Sequence, residues 1–212
     1  MLFFEDREDA GIILAETVAE KYLGEDVIVL ALPHGGVPVG YHVAKRIKAP
    51  FDVLVVRKLP IPWNTEAGFG AITMDGALIL NKPLVARLGL NKEDIQSIAD
   101  EVLKEIRRRS KIFRGDKPFP ELKGKTVILV DDGLASGFTM FAAVKSIEKY
   151  APAKKVVAIP CAPESSINLL KRYVDVIICL VVQKYFPFAV ASFYKRWWDL
   201  SEEEVLTYLK KS

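Results

Sequence analysis

The 212-residue sequence is half hydrophobic and carries a formal net charge of only +3. This length and composition suffice for one domain with a substantial core and a small appendage, and they exclude a largely disordered chain. The small net charge gives no general attraction to nucleic acid, and no apolar run reaches the roughly 20 residues that span a bilayer.

Two features bear on the cellular compartment. The two cysteines, Cys161 and Cys179, lie in apolar stretches, which predicts buried, reduced thiols rather than a disulfide or a zinc site. The opening sequence MLFFEDREDA turns acidic at once and lacks the basic region and long apolar core of a signal peptide. We therefore expect a cytoplasmic protein with no membrane partner.

The first part of the chain alternates helical and strand patterns. Apolar residues at helical spacing predict a helix over 12–22, and the β-branched run VIVLAL at 27–32 predicts a strand covered on both faces. After PHGGVPVG, the pattern predicts an amphipathic helix over 37–47. The run FDVLVV at 51–56 predicts a second strand.

The middle of the chain differs in character. Residues 57–82 mix turn signals with short β-like runs, and Asp75-Gly76 favours a flexible β-hairpin that leaves the main sheet. Asn91, with an acid three residues on, predicts the capped start of a long helix whose apolar positions continue to Phe113. The basic end of this helix suits a helix C-terminus.

Strands then alternate with helices to residue 182. The predicted strands are 126–131, 155–160 and 175–182, and the predicted helices are 138–150 and 164–172. This alternation is typical of an α/β fold with a doubly wound, mostly parallel sheet and helices on both faces.

One motif, VILVDDGLASGFTM, covers residues 127–140. A loop of small residues entering a helix presents backbone N–H groups suited to a phosphate, and Ser136 and Thr139 add hydroxyls. The adjacent carboxylates Asp131 and Asp132 then need hydroxyl or cationic partners. The alternative is an ordinary turn with Ser136 as the N-cap. The motif is neither a Walker A loop nor a dinucleotide-binding fingerprint.

A second motif precedes the helix predicted over 37–47. Gly35 and Gly36 permit backbone geometry closed to other residues, and the helix N-terminus near Val37 suits an anion. The alternative is a tight turn, with His34 as a surface or capping residue.

Two basic stretches complete the candidate sites. Arg57 and Lys58 close the predicted strand and suit a polyanion, although a solvated strand end is the alternative. Residues 104–117 carry seven Lys or Arg against two acids. That stretch suits RNA or phosphate, but a solvated face supported by pairs such as Glu105 with Arg109 is favoured, so a nucleic-acid partner is not expected.

Residues 127–139 resemble the 5-phosphoribosyl-1-pyrophosphate (PRPP) motif of the type I phosphoribosyltransferases, and the order and spacing are similar over 27–182. The resemblance implies that Asp131 and Asp132 hold the ribose hydroxyls. It implies that the 5-phosphate is wrapped by Ala135, Ser136, Gly137, Phe138 and Thr139. Several family members have a further Asp in place of Ala135 that serves a purine base, and its absence puts purine salvage of that kind in doubt.

The same resemblance implies roles for the other segments. It makes His34, Gly35, Gly36 and Val37 a pyrophosphate loop, often with a non-proline cis peptide in this family. It makes Arg57 and Lys58 cations for the pyrophosphate. The shared segments HGG, RKLP, GFGAI and DDGLASG are similar to those of predicted phosphoribosyltransferases whose acceptor is unassigned.

The resemblance also divides the chain into a PRPP-binding core, residues 1–182, and a C-terminal hood, residues 183–212. Within the core it assigns 59–82 to a lid, with Thr65 and Glu66 near its tip, and 91–114 to an inserted helix. The hood aromatics either stack on a planar base or fill the core, and two neighbouring tryptophans are core or a subunit contact. These aromatic residues are Phe186, Phe188, Phe193, Tyr194, Trp197 and Trp198.

The expected function is Mg2+-dependent transfer of the 5-phosphoribosyl group from PRPP to a nitrogenous acceptor such as a nucleobase, by a homodimer. Mg2+ is expected on the oxygens of the ligand, reached by Asp131 and Asp132 only through the ribose. One alternative is a non-catalytic PRPP sensor that uses 104–117 to bind nucleic acid or a protein. Another is a different phosphosugar-binding enzyme on the same sheet.

Overall fold

The computed structural model describes residues 3–74, 76–185 and 187–211, and for residues 65 and 66 it describes the backbone only. Within these residues the chain forms eight strands and seven α-helices. The strands are β1 (Val27–Ala31), β2 (Phe51–Val53), β3 (Val56–Ile61), β4 (Asn64–Thr73), β5 (Leu78–Leu80), β6 (Thr126–Val130), β7 (Lys154–Pro163) and β8 (Val176–Gln183). The helices are α1 (Arg7–Tyr22), α2 (Gly36–Ile47), α3 (Lys82–Leu88), α4 (Lys92–Arg114), α5 (Phe138–Ile147), α6 (Glu164–Leu170) and α7 (Glu202–Lys211).

Five strands form a parallel sheet in the order β2-β1-β6-β7-β8. All of β1 is buried, because helices cover both faces of the sheet. Helices α1 and α2 pack on one face around Val29 and Val156, whereas α5 and α6 pack on the other face around Leu30 and Leu129. The predicted doubly wound, mostly parallel α/β fold is confirmed.

The carboxyl ends of β1 and β6 lie side by side. Ala31 pairs with Val130, the last residue of its strand, and the backbone N–H of Leu32 donates to the carbonyl of Val130 at 2.9 Å. Parallel strands point the same way, so the segments 32–36 and 131–137 leave the sheet at the same edge. This register brings the two glycine-containing loops together.

The second sheet is antiparallel, in the order β3-β4-β5, and is larger than the single hairpin that the sequence predicts. The strand predicted over 51–56 is divided between the two sheets, since β2 ends at Val53 and β3 begins at Val56. The hydrophobic pattern of the sequence does not show this division, because the connecting residues Leu54 and Val55 are apolar and buried as well.

The connection after β4 differs from the sequence prediction. Asp75 of the predicted Asp75-Gly76 turn lies outside the described residues, but the turn falls between β4 and β5, which pair antiparallel. Helix α3 then occupies residues that the sequence leaves without a helix. Its signals are standard ones: the Asn81 side chain accepts from the N–H of Leu84, and Gly89 ends the helix in a left-handed conformation.

Helix α4 begins as predicted. The Asn91 side chain accepts from the N–H of Asp94 at 2.8 Å, and the Asp94 carboxylate accepts from the N–H of Asn91 at 3.1 Å, which completes a capping box. Its buried face, which includes Ile95, Ala99 and Ile106, packs with the second sheet. The inserted helix therefore supports the antiparallel sheet.

The C-terminal segment packs against residues near the start of the chain. The N–H of Phe4 donates to the carbonyl of Phe193 at 2.8 Å, and these two rings are buried in one cluster with Tyr194 and Cys161. Cys161 and Cys179 are both free thiols, but only Cys161 is buried as predicted, because Cys179 is half-buried. Across the described ranges, no helix combines the length and the apolar character needed to cross a membrane.

Candidate active site

The acidic pair follows β6 directly, and its two carboxyl groups have different surroundings. Asp131 lines a cavity of about 450 Å³, and its Oδ1 accepts from the backbone N–H of Asp132 at 2.9 Å. Burial raises the pKa of Asp131 well above its usual range, and the charge of Asp132 adds to this shift. Burial also raises the pKa of Asp132, while the guanidinium of Arg7 acts in the opposite direction.

All five residues of the predicted phosphate loop, 135–139, line the cavity. Ala135 and Ser136 are exposed, and Phe138 and Thr139, the last two residues of the predicted loop, form the start of α5. The cavity is lined by Lys58, Ala67, Gly68, Gly70, Asp131, Gly133, Leu134, Ala135, Ser136, Gly137, Phe138, Thr139, Met140 and Val190. The loop, the first acid and strands β3 and β4 of the second sheet therefore face one space.

The loop is held by a contact that the sequence does not reveal. The Ser166 hydroxyl, at the start of α6, donates to the carbonyl of Ala135 at 2.6 Å. Gly137 caps α5 with φ of 78°, a left-handed conformation that favours glycine, and has no capping side chain. The alternative of Ser136 as the N-cap is therefore wrong, and the first-turn N–H groups of α5 point toward the loop without a side-chain cap.

The second predicted loop touches the acidic pair. A Cβ at Gly35 would lie 1.9 Å from Asp132 Oδ2, and a Cβ at Gly36 would lie 2.6 Å from the carbonyl oxygen of Val130. Both glycines are needed here for close approach rather than for a left-handed backbone. The Pro33–His34 peptide bond is cis, as the resemblance implied.

His34 is half-buried, in contrast to the surface position considered as an alternative. Its Nε2 lies 3.1 Å from Nη1 of Arg109 on α4, and its ring meets the edge of Phe113. Burial lowers the pKa of His34, and the guanidinium of Arg109 lowers it further. The neutral imidazole is therefore favoured, with Nε2 accepting from Arg109.

Arg57 and Lys58 are both on β3, but their side chains lie on opposite faces of the strand. Successive side chains of a strand point to opposite faces. Lys58 lines the cavity, whereas Arg57 faces α4, with Nη1 buried, 3.6 Å from Glu105 Oε1 and without a hydrogen-bond partner among the described residues. Burial lowers the pKa of Arg57, and the nearby Arg109 adds to the effect. The sequence placed both cations together at one strand end.

The sequence reasoning missed Arg7. This side chain is 5% exposed, and its Nε donates to Asp132 Oδ2 at 2.7 Å. A signal was present, because Arg7 precedes Ala10 and Leu14 at helical spacing and so lies on the buried face of α1. The sequence offers Tyr194 for base stacking, yet its hydroxyl donates to the backbone carbonyl of Asp132 at 2.5 Å.

The basic residues of 104–117 are largely engaged in ion pairs. Arg109 pairs with Glu105 at 2.7 Å, the contact that the sequence suggested. The hydrogen bonds from Arg108 and Arg109 hold the pKa of Glu105 at about 2. Further pairs join Arg108 to Glu202, Lys111 to Asp116 and Arg114 to Asp52. This pattern fits the solvated, ion-paired face better than an open basic surface.

The predicted lid and hood reach the cavity only in part. Ala67, Gly68 and Gly70 of β4 line it, while the side chains of Thr65 and Glu66 lie outside the described residues. From the hood, Val190 lines the cavity. Among the hood aromatics, Phe193 and Tyr194 are buried, Phe188 packs beside Phe193, Trp197 and Trp198 are exposed, and Phe186 lies outside the described residues.

The described residues contain no group of three or more His, Cys, Asp or Glu side chains placed to hold a metal ion. Asp131 and Asp132 are the acidic side chains at the cavity loop, and Asp132 already has a cationic partner. A cation here would therefore need most of its ligands from a bound molecule.

Comparison with known proteins identifies the class. The sequence matches the phosphoribosyl transferase domain over residues 73–193, more than half of the chain. It is 38% identical, along its whole length, to a Mycobacterium tuberculosis protein named "Putative phosphoribosyl transferase MT0597". The chain spans about half the length of this curated relative, 47%. The chain belongs to the phosphoribosyl transferase domain family.

Solved structures agree with this fold. The crystal structure of TT1426 from Thermus thermophilus shares 34% sequence identity and a TM-score of 0.80, with 99% of each chain covered. The AQ2163 protein from Aquifex aeolicus shares 14% identity and a TM-score of 0.51, over 83% of this chain and 74% of that one. The second similarity concerns the fold alone.

Proposed function

We propose that the protein transfers the 5-phosphoribosyl group of PRPP to a nitrogenous acceptor, a nucleobase or a similar amine, and releases pyrophosphate in a Mg2+-dependent reaction. The observation that carries this proposal is the shared cavity, in which Asp131, the loop 133–139 and Lys58 face one another. The tight contact of Gly35 with Asp132 brings the second loop to the same place.

Each part of PRPP has a matching group. The free N–H groups before and within the first turn of α5, with Thr139, suit the 5-phosphate dianion. The acidic pair suits the vicinal ribose hydroxyls, because buried carboxylates require hydrogen-bond donors. The backbone of 34–37, with Arg57 and Lys58, suits the pyrophosphate.

The reaction separates charge, and the site is arranged to stabilise it. Breaking the bond at C1 builds positive charge on the ribose and negative charge on the pyrophosphate. Lys58 from the cavity, and Arg57 from the side of β3 that faces α4, would stabilise the leaving group, while Asp131 would hold the ribose beside it. Strand β4, whose Gly68 and Gly70 line the cavity, would exclude water from the reacting carbon.

The donor set fits Mg2+ held mainly by the substrate. Asp131 has a raised pKa from burial and from Asp132, so a nearby cation or hydroxyl donor would stabilise its ionised form. When bound, Mg2+ would neutralise pyrophosphate oxygens. Asp131 would orient the ribose hydroxyls and through them the bound ion, as the sequence predicts.

The acceptor is proposed only as a class. Ala135 supplies no acid or base, and the titratable side chains that line the cavity in the described residues are Lys58 and Asp131. The wall formed by Leu134, Met140 and Val190 is apolar and suits a planar ring. We further propose a cytoplasmic homodimer without membrane or nucleic-acid partners.

The test is pyrophosphate release from PRPP and Mg2+ across a panel of purines, pyrimidines and other amines. We expect release with one acceptor class, and a loss of at least roughly 100-fold when Asp131→Asn and Asp132→Asn are combined, since both carboxylates next to the proposed ribose position lose their charge. Asp116→Asn, at the surface, is the matched control and should keep full activity.

Two outcomes would count against the proposal. A folded chain that does not bind PRPP would overturn it. Binding of PRPP without turnover of any acceptor, together with a salt-sensitive complex with RNA or DNA, would instead favour the sensor that uses 104–117.

A further inference from the structure

The two adjacent acids are not equivalent. We infer that Arg7 is a positioning residue that anchors Asp132 beside the pyrophosphate loop, so that Asp131 alone of the pair presents its carboxylate to the ribose. This inference rests on the proposed function and revises the equal roles that the sequence assigns to the two acids. It concerns a side chain 125 positions away in the sequence from the acid it contacts.

Arg7 is fixed by three contacts. Its Nε donates to Asp132 Oδ2 at 2.7 Å, its Nη1 donates to the carbonyl of Trp198 at 2.7 Å, and its guanidinium carbon lies 3.8 Å from the centre of the Trp197 ring. The side chain is buried at the start of α1. A buried guanidinium is tolerated only with such partners, so its charge is committed to Asp132.

Asp132 is restrained by three separate elements of the described chain. Its backbone carbonyl accepts from the Tyr194 hydroxyl at 2.5 Å. Its Oδ2, besides accepting from Arg7, lies so close to Gly35 that a Cβ there would be 1.9 Å away. The carboxylate thus joins α1 to the pyrophosphate loop, and it is absent from the described lining of the cavity.

Asp131 has the complementary arrangement. It lines the cavity beside the phosphate loop, and its Oδ1 accepts from the backbone N–H of Asp132. Burial raises the pKa of both acids, but the hydrogen bond and charge of Arg7 oppose this shift at Asp132, whereas the charge of Asp132 adds to it at Asp131. A ribose hydroxyl that donates to Asp131 would stabilise the carboxylate that faces the cavity.

The test compares four variants by calorimetric PRPP binding and by thermal unfolding. Asp131→Asn should weaken PRPP binding by roughly 10- to 100-fold, because it removes a contact to a charged acceptor. Asp132→Asn and Arg7→Met should each weaken it less, through displacement of the loop. The double variant of Arg7→Met and Asp132→Asn should have an affinity for PRPP within about 3-fold of that of the single variant with the lower affinity. The effects of substituting the two partners of one ion pair do not add.

Two readouts separate positioning from a merely structural role. Arg7→Met should move the acid limb of the pH profile of PRPP binding to higher pH, because both acids lose the cation that opposes the effect of burial on their pKa, Asp132 most directly. Arg7→Lys should restore part of the affinity, and it provides a folded variant if Arg7→Met does not fold. Arg196→Met, an exposed arginine in the nearby segment, should leave both readouts unchanged.

Two results would overturn the inference, and a third would overturn the proposed function on which it rests. Equal losses of affinity in Asp131→Asn and Asp132→Asn would contradict the division of roles. Additive effects of Arg7→Met and Asp132→Asn, on binding or on the unfolding temperature, would contradict the pairing. Failure of the folded wild-type chain to bind PRPP would overturn the proposed function itself, and the unfolding cycle would then decide the Arg7 contact separately.

Discussion

Asp131 is placed where its ionised form is unfavourable. Its carboxyl group is buried next to a second acid, and it accepts a hydrogen bond from the backbone N–H of that neighbour. Such an arrangement lowers the stability of the folded chain, because the ionised form is better solvated in the unfolded chain. The position of the Asp131 carboxyl group is therefore better accounted for by ligand binding than by a contribution to folding.

This trade-off predicts that Asp131→Asn stabilises the chain while it weakens PRPP binding. The folded-state pKa is raised above the usual 3.8, so the folded chain holds this proton at pH values where the unfolded chain has lost it. Stability therefore falls as the pH rises above that usual value, and the asparagine variant escapes the loss. At pH 7 we expect a gain of roughly 0.5–2 kcal/mol in the free energy of unfolding.

Urea unfolding of wild type and variant from about pH 3 to about pH 8, a range that spans the usual titration of an aspartate, measures this difference. The gain should shrink toward zero as the pH falls to the usual range of an aspartate. A variant that is less stable than wild type at neutral pH would contradict the account. Asp199→Asn, at an exposed position, serves as the control.

Helix α4 contributes more to the site than a basic surface. Its Arg109 side chain contacts His34, the first residue of the proposed pyrophosphate loop. Its Glu105 carboxylate lies between the guanidinium groups of Arg57 and Arg109 and pairs with both. The sequence describes this helix as an insertion, yet its polar contacts lie beside the proposed pyrophosphate position.

We expect Arg109→Gln to raise the pKa of His34. Burial is the larger cause of the low pKa and remains, but the repulsion between the guanidinium and a protonated ring is removed. NMR titration of the imidazole follows this change, and because the chain has only two histidines, His42→Gln assigns the signals. Arg107→Gln, exposed on the same helix, should leave the titration unchanged, and an equal shift in that control would contradict the contact.

At the scale of the whole molecule, an ion pair connects helix α4, which packs on the antiparallel sheet, to strand β2 of the parallel sheet. Arg114, at the end of α4, donates from Nε and Nη2 to both carboxylate oxygens of Asp52 on β2, each at 2.9 Å, and to the carbonyl of Pro118. Its side chain is 6% exposed, and that of Asp52 is 21% exposed. The pair ties the helix that supports the antiparallel sheet to the edge of the parallel sheet.

Arg114→Met should therefore lower the free energy of unfolding by about 2–4 kcal/mol, somewhat less than for a fully buried pair because Asp52 is partly solvated. Chemical denaturation measures this loss. The matched control is Arg46→Met, which breaks the exposed pair with Glu16 and should cost less than about 1 kcal/mol. Equal losses in the two variants would show that Arg114 does not join the sheets in this way.

The sequence predicts the parallel sheet well because its strands are apolar runs between helices of clear period. It also identifies Asp131 and residues 135–139, which the structure brings to one cavity, because both are local features; their roles stay predictions. It fails where partners are distant: Arg7 meets Asp132 only in the folded chain. It also groups Arg57 with Lys58, because the pattern does not show that both lie within a strand of the second sheet. The lid, the hood and the homodimer stay predictions.

The contact of Asp132 with both ends of the described chain sets an order of events during synthesis. Arg7 is synthesised before the parallel sheet, whereas Tyr194 and Trp198, which complete the contacts, are synthesised after it. When the strands of the parallel sheet have been synthesised, Tyr194 and Trp198, which restrain Asp132 and Arg7, have not. A nascent chain is therefore unable to hold a finished site until residue 198 is free to fold, since closure over so long a separation comes late.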